Sequence, residues 1–214
     1  MATDQIRAQI QDAWNEELEH QTFASLIRSQ LAKRDESSLA TSTFEEREQM
    51  ARSIVESWRA QLDQVPDLID AVAEAAAVAR VYDAVAPILD VAESYFFDAE
   101  DLLSDSLGML GLMDDMYLSL SLLHSVSEQY RGVHGHPLID ADLEPSIRSV
   151  RALFQGKRLE ALDASIESAL CRPGMLTSMK ALAALKRPLA VTSLTDAGMP
   201  AGVDERELET AHAA

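Results

Sequence analysis

The sequence is short of most features that punctuate a chain. Glycine is absent before Gly108 and proline before Pro66, so the first half has little of the usual turn chemistry and long helices are expected there. A single cysteine, Cys171, excludes an internal disulfide, fits a reducing compartment and leaves a free thiol. An uncharged apolar run of about eighteen residues, the minimum for an ordinary spanning helix, is also missing. The nearest approach, residues 102–123, is broken by Asp105, Asp114 and Asp115. Residues 1–30 carry Asp4, Asp12, Glu16, Glu17 and Glu19 in place of a secretory apolar run. The expected location is therefore cytoplasmic.

Basic residues are scarce as well. Lys plus Arg number 18 against 36 Asp plus Glu, for a formal charge of -18 and a pI near 4.5. Binding nucleic acid or anionic lipid across the whole surface is disfavoured, because counterion release needs clustered cations. A disordered acidic tail is excluded by the 47% hydrophobic content, since such tails lack the apolar side chains that offset chain entropy. At 214 residues the chain is long enough for one domain with a sizeable core.

What is present is helical periodicity. Ile6, Ile10, Trp14 and Leu18, then Phe23, Leu26, Ile27 and Leu31, form a stripe of 3.6-residue period, followed by a polar connector at residues 33–42. Thr43 and Glu46 have capping-box spacing, predicting a helix from 44 to about 64 with Met50, Ile54, Trp58 and Leu62 on its buried face. Pro66 is expected to open the next helix, an alanine-rich one suited to close packing, and Pro87 to interrupt or kink it. A Gly108/Gly111 turn precedes a helix over about 112–130 that is apolar almost all round and should form the bundle centre. A loop at residues 131–140 follows, then helices around 145–154 and 158–171. Strand alternation and internal repeats are lacking. The fold class expected is all-α, a bundle of about six to eight helices around a buried central hairpin. Residues 1–172 are read as one domain, 173–187 as a weak helix, and 188–214 as a flexible tail.

The acidity is uneven. Between Arg80 and Arg131 there is no Lys or Arg, while Asp83, Asp90, Glu93, Asp98, Glu100, Asp101, Asp105, Asp114, Asp115 and Glu128 all lie there. Asp98, Asp101 and Asp105 at i, i+3 and i+7 would fall within about 60° on a helix. Carboxylates so placed repel unless a cation, a basic partner or helix amides compensate them.

The run YFFDAEDLLSDSLGMLGLMDDMYLSLSLL, residues 95–123, resembles the core of the YkvA family, also called the DUF1232 domain, whose pattern is approximately PxDLIPDxxPxxGxxDD before an apolar helix. Asp101, Leu102, Leu103, Asp105, Gly111, Asp114 and Asp115 match without a gap. Ala99, Ser104 and Gly108 stand in place of its three prolines. The resemblance covers about thirty residues, says nothing of either flank, and implies a largely uncharacterised bacterial family.

Structural capping is the favoured reading of the aspartates, because Asp98 and Asp114 stand where helices should begin. The sharper alternative is a cation site made by Asp101, Asp105, Asp114 and Asp115, whose hard oxygen ligands suit Mg²⁺, Ca²⁺ or Mn²⁺. His134 and His136 lack a third ligand nearby in sequence and are expected to be solvated. His124 and Glu128, at i and i+4, read as a buried histidine satisfied by its carboxylate ahead of an acid/base couple. Met109, Met113 and Met116 read as core filling, and Cys171 has no recognisable catalytic partners. The phosphate-loop, dinucleotide, zincin and serine-hydrolase motifs are all missing. The function expected is that of a non-catalytic accessory or scaffold protein docking on a protein partner with a basic surface, without direct nucleic-acid binding. The alternatives are a divalent-metal-dependent hydrolase using the Asp cluster and an acidic DNA-mimic inhibitor.

Overall fold

The structure, a computed structural model, describes residues 2–37, 43–97, 105–154 and 156–184. Among the described residues there are eight α-helices and no strand: α1 (Ala2–His20), α2 (Thr22–Ser37), α3 (Phe44–Val78), α4 (Tyr82–Ser94), α5 (Met113–His134), α6 (Glu144–Leu153), α7 (Lys157–Cys171) and α8 (Pro173–Ala184). Short 3-10 turns occupy Tyr95–Phe97 and Asp105–Leu110. The all-α bundle expected from periodicity is what the chain forms.

Helix α5 is the centre. It packs against α3, α4, α6, α7 and α8, and every residue from Gly111 to Leu123 is buried. Met109, Met113 and Met116 are core residues. The polar side chains on such a helix need internal partners. The Ser119 hydroxyl donates to the Ala92 carbonyl of α4 at 2.7 Å, and the Tyr117 hydroxyl to Asp163 of α7 at 2.8 Å. The serines are also small, so α4, with its own Ala92 fully buried, can lie close. Helix α8 is more than an appendage. It packs on α4 and α5, burying Met175 and Leu182. Residues 185–187 of the expected weak helix, and the expected tail 188–214, lie outside the described residues.

Two of the breaks, at Gln21 and Arg80, fall without glycine or proline. The stripe through Leu31 is divided at Gln21, whose φ is 51°. Ile6, Ile10, Ala13 and Glu17 are the buried positions of α1, and Leu18 is 60% exposed. Glu17, only 4% exposed, explains the turn: its two carboxylate oxygens accept from the amides of Phe23 and Ala24, both at 2.9 Å. These are orphan donors in the first turn of α2, and a carboxylate there also meets the positive end of that helix.

Helix α3 starts at the Thr43/Glu46 capping box as expected. It then continues through Pro66, which is buried inside it. The proline removes one backbone bond, but Leu62, Val65 and Ile69 bury the same face on both sides and keep the helix going. The buried stripe is Ala51, Val55, Trp58 and Leu62, while Met50 is 49% exposed. The helix ends at Arg80, with φ 59°. There the Val81 amide donates to Ala76 O (2.8 Å) and the Arg80 amide to Ala77 O (3.1 Å), with Ala76 and Val81 both buried. This is a Schellman ending made without glycine. Pro87 sits inside α4 and does not end it. Helix α5 likewise runs past Tyr130 to His134, where Gly135 at φ 83° supplies the left-handed residue.

A non-glycine residue in the left-handed region costs about 1 kcal/mol or more, so Arg80→Gly should raise the urea-unfolding free energy by about 0.5–1 kcal/mol once glycine's greater unfolded-state entropy is subtracted. Glu17→Ala leaves two buried amides without their charged acceptor and should lower it by about 2–3 kcal/mol. Glu17→Gln, keeping one acceptor oxygen, should fall between the two.

Candidate functional site

Asp101 lies outside the described residues, as do Asp98 and Glu100. Asp105 begins the 3-10 turn Asp105–Leu110, and its side chain lies outside the described part of the structure. Asp114 and Asp115 are each 1% exposed and occupy the first turn of α5. The cap position itself belongs to Leu112, with no side-chain cap bond. Asp114 is therefore not the cap residue the sequence suggested. The two carboxylates stand two and three residues further in, where the helix dipole still favours negative charge. Among the described residues no three His, Cys, Asp or Glu side chains gather in a way that could hold a metal ion. Gly108, which stands where the YkvA pattern has proline, adopts φ 60°, closed to proline. A Cβ at Gly108 would lie 3.2 Å from the Ala13 carbonyl oxygen, so this turn seats directly on α1.

The expectations for His124 and His134 need correction, whereas His136 is exposed as expected. Glu128 pairs with Arg131 at 3.2 Å, not with a buried His124. Both His124 and Glu128 are only partly buried, and they line a polar cleft of about 500 Å³ between α5 and residues 137–144. The rim is closed by the Leu138 amide donating to Ser127 Oγ at 3.2 Å. His134 lies on α5, stacked on Tyr130 with centroids 4.1 Å apart, and His136 meets the same ring edge-on at 5.5 Å. The pair forms an aromatic cluster. Cys171 is exposed in the last turn of α7.

The base-free window is thus divided. Asp114 and Asp115 point to the interior, Glu128 to the cleft, and Asp83, Asp90 and Glu93 belong to the outer part of α4. Beside the last group lies a feature outside that window. Asp63, Asp67, Asp70 and Glu74 of α3 are spaced i, i+4, i+7 and i+11, within about 60° of one another and spread over about 16 Å of helix. None is buried. Asp90 and Glu93 of α4 join this row, since both Asp90 and Asp70 act electrostatically on Glu93.

Two arginines compensate one end of the row. Arg7 of α1 reaches Asp67 (2.7 Å) and Asp70 (3.0 Å), and those bonds hold its guanidinium more firmly protonated than usual. Arg59 reaches Asp63 at 3.3 Å while lying 4.5 Å over the Trp14 ring. The other end, Glu74, Asp90 and Glu93, has no ion pair among the described residues. Burial first, and then the charges of Asp90 and Asp70, push the Glu93 carboxyl above the ordinary glutamate value. Elsewhere, burial and the bond to Asp163 push the Tyr117 hydroxyl up to about 12. Tyr117 therefore stays a neutral donor, while Arg151 holds the other Asp163 oxygen at 2.7 Å.

Comparison with protein-family models, with curated proteins and with solved structures gives no match.

The shifts carry opposite signs at two glutamates. A carboxyl whose folded pKa is raised adds stability fully present below its unfolded value and lost as pH rises through the folded one. Glu93→Gln should therefore raise the melting temperature near about pH 7, with the gain fading below about pH 4. Glu48, whose carboxyl is lowered by the hydrogen bonds from Arg28, contributes above its unfolded value and loses that contribution in acid. Glu48→Gln should lower the melting temperature at neutral pH and converge with wild type in acid. Thermal unfolding followed by circular dichroism across pH checks both signs.

Proposed function

We propose that this is a non-catalytic accessory or scaffold protein that docks on a protein partner with a basic surface, through the acidic face formed by α3 and α4. The observation that supports this is the open end of the row. Glu74, Asp90 and Glu93 have no Lys or Arg partner among the described residues, and after burial it is the charges of Asp90 and Asp70, opposed only by the N-terminal ammonium, that raise the Glu93 carboxyl. A Lys- or Arg-bearing surface would offset the repulsion from Asp90 and Asp70 on contact, which favours a basic partner over a neutral or acidic one. The arginines at the other end tie the row to α1 and hold it in one geometry. On this reading residues 108–123, the described end of the stretch that resembles the YkvA family, serve to build the α5 core rather than the docking face.

A second reading, the acidic DNA mimic, draws support from the same row, because regularly spaced carboxylates along one helix are what imitation of a phosphate backbone needs. The divalent-metal hydrolase depends on Asp101 and the Asp105 side chain, which lie outside the described residues, and draws no observation in its favour from Asp114 and Asp115.

The experiment is a low-salt pull-down from the native host with the full chain, followed by affinity measurement for the recovered partner. The combined variant Glu74→Gln, Asp90→Asn and Glu93→Gln should bind at least tenfold more weakly, and raising the salt to about 0.5 M should release the wild type. A partner held equally well by the neutralised variant would defeat the proposal. Competition by duplex DNA separates the two readings: only a DNA mimic occupies its partner's DNA-binding surface.

A further inference from the structure

In a chain with 18 basic residues against 36 acidic ones and only four lysines, a cation away from any carboxylate needs a reason. Three of them line a single cavity. Between α2, the 3-10 turn Asp105–Leu110 and the α6–α7 junction lies a space of about 690 Å³, walled by Lys33, Lys157, Arg158 and Gln30 over an apolar floor of Leu26, Leu110, Leu153 and Phe154. Two of the four lysines are here. Among the described residues, none of the three cations makes an ion pair.

The arrangement is unfavourable for the chain alone. Like charges gather where the surrounding protein offers an excess of carboxylates with which to pair. Lys157 and Arg158 are also the first two residues of α7, a fifteen-residue helix with no side-chain cap. That is the end at which the helix dipole repels cations and the backbone amides lack acceptors. Only Glu160 in the same turn offsets this, so local folding gains little from the clustering, whereas an anion in the cavity would gain from every element of it. The floor adds the second requirement. Leucines and a phenylalanine beside a charged rim suit a molecule with an apolar body, and the volume falls within the usual range for small-ligand sites.

We propose that this cavity binds a small amphiphilic anion, with a phosphate or carboxylate head held by Lys33, Lys157 and Arg158 and an apolar body on Leu26, Leu110, Leu153 and Phe154. Three cations favour the dianionic phosphate head over the carboxylate. The proposal is independent of the α3–α4 docking face and can hold if that face binds nothing.

The test is isothermal titration calorimetry of the full chain with dodecyl phosphate, dodecanoate, dodecanol and dodecyltrimethylammonium, each below its micelle concentration. The expected result is one site per chain, with dodecyl phosphate tightest, dodecanoate weaker, and the neutral and cationic compounds at least tenfold weaker still. Lys157→Gln and Arg158→Gln should each weaken dodecyl phosphate by about five- to tenfold. Lys180→Gln, an exposed lysine of α8 outside the cavity, should leave it unchanged. These are exposed positions, and circular dichroism verifies the fold of each variant. Equal binding of all four amphiphiles, an equal effect of Lys180→Gln, or no saturable binding would overturn the proposal. So would adsorption to phosphatidylglycerol vesicles without binding of monomeric dodecyl phosphate, since that would make the site a membrane contact.

Discussion

The rest of the fold depends on one constraint: α5 has no outer face over its first half. From Gly111 to Leu123 each residue meets protein, so every polar group placed there must be satisfied from a neighbouring helix. Ser119 is met by a carbonyl of α4 and Tyr117 by a carboxylate of α7. That second bond links the centre of the bundle to its periphery, because Asp163 is also held by Arg151 of α6. Helices α4, α6 and α7 are therefore placed by directional contacts as well as by apolar burial. The hydrophobic effect alone would leave their rotation about α5 loosely specified.

Helix identity was legible in the sequence, but register and breakpoints were less so. The reason is visible at α3. Met50 and Ile54 look like core residues by hydrophobicity, yet Ala51 and Val55 are the ones buried, because small side chains let a neighbouring helix approach closely. The breakpoints were missed for a related reason. Turn signals in a sequence are mostly glycine and proline, and at Gln21 and Arg80 the chain turns with neither. Each turn is held by hydrogen bonds instead: to the Glu17 carboxylate in one case, to the carbonyls of Ala76 and Ala77 in the other. A carboxylate at a core position of α1, seven residues after Ile10, was the available sign that Glu17 had backbone amides to serve.

The acidic row was readable too, since Asp63, Asp67, Asp70 and Glu74 have plain helical spacing. It stands out less in the sequence than the base-free window at residues 81–130, because Arg59 and Arg80 interrupt the run of acids nearby without neutralising the open end of the row. Counting charge along a sequence treats each base as cancelling the acids around it. In the fold, Arg59 is engaged with Asp63, Gln11 and Trp14, and Arg80 pairs with none of the row. The cationic cavity was beyond reach from the sequence, because Lys33 and Lys157 meet only through tertiary packing.

Scarcity is what makes the bases informative. Where acids outnumber bases two to one, almost any arrangement could pair a base, so a cluster of unpaired bases is more informative than a single one. Arg7, Arg28, Arg59 and Arg151 follow the simple rule and bridge helices that must stay together: α1 to α3, α2 to α3, and α6 to α7. Lys33, Lys157 and Arg158 do not. Arg80, Arg172 and Lys180 are unpaired among the described residues too but stand singly at the surface, so what distinguishes Lys33, Lys157 and Arg158 is that they share one cavity. A net charge of -18 describes neither this cavity nor the acidic row of α3 and α4. What governs binding is the local balance at each surface, because screening confines the influence of an exposed charge to about 10 Å at ordinary ionic strength.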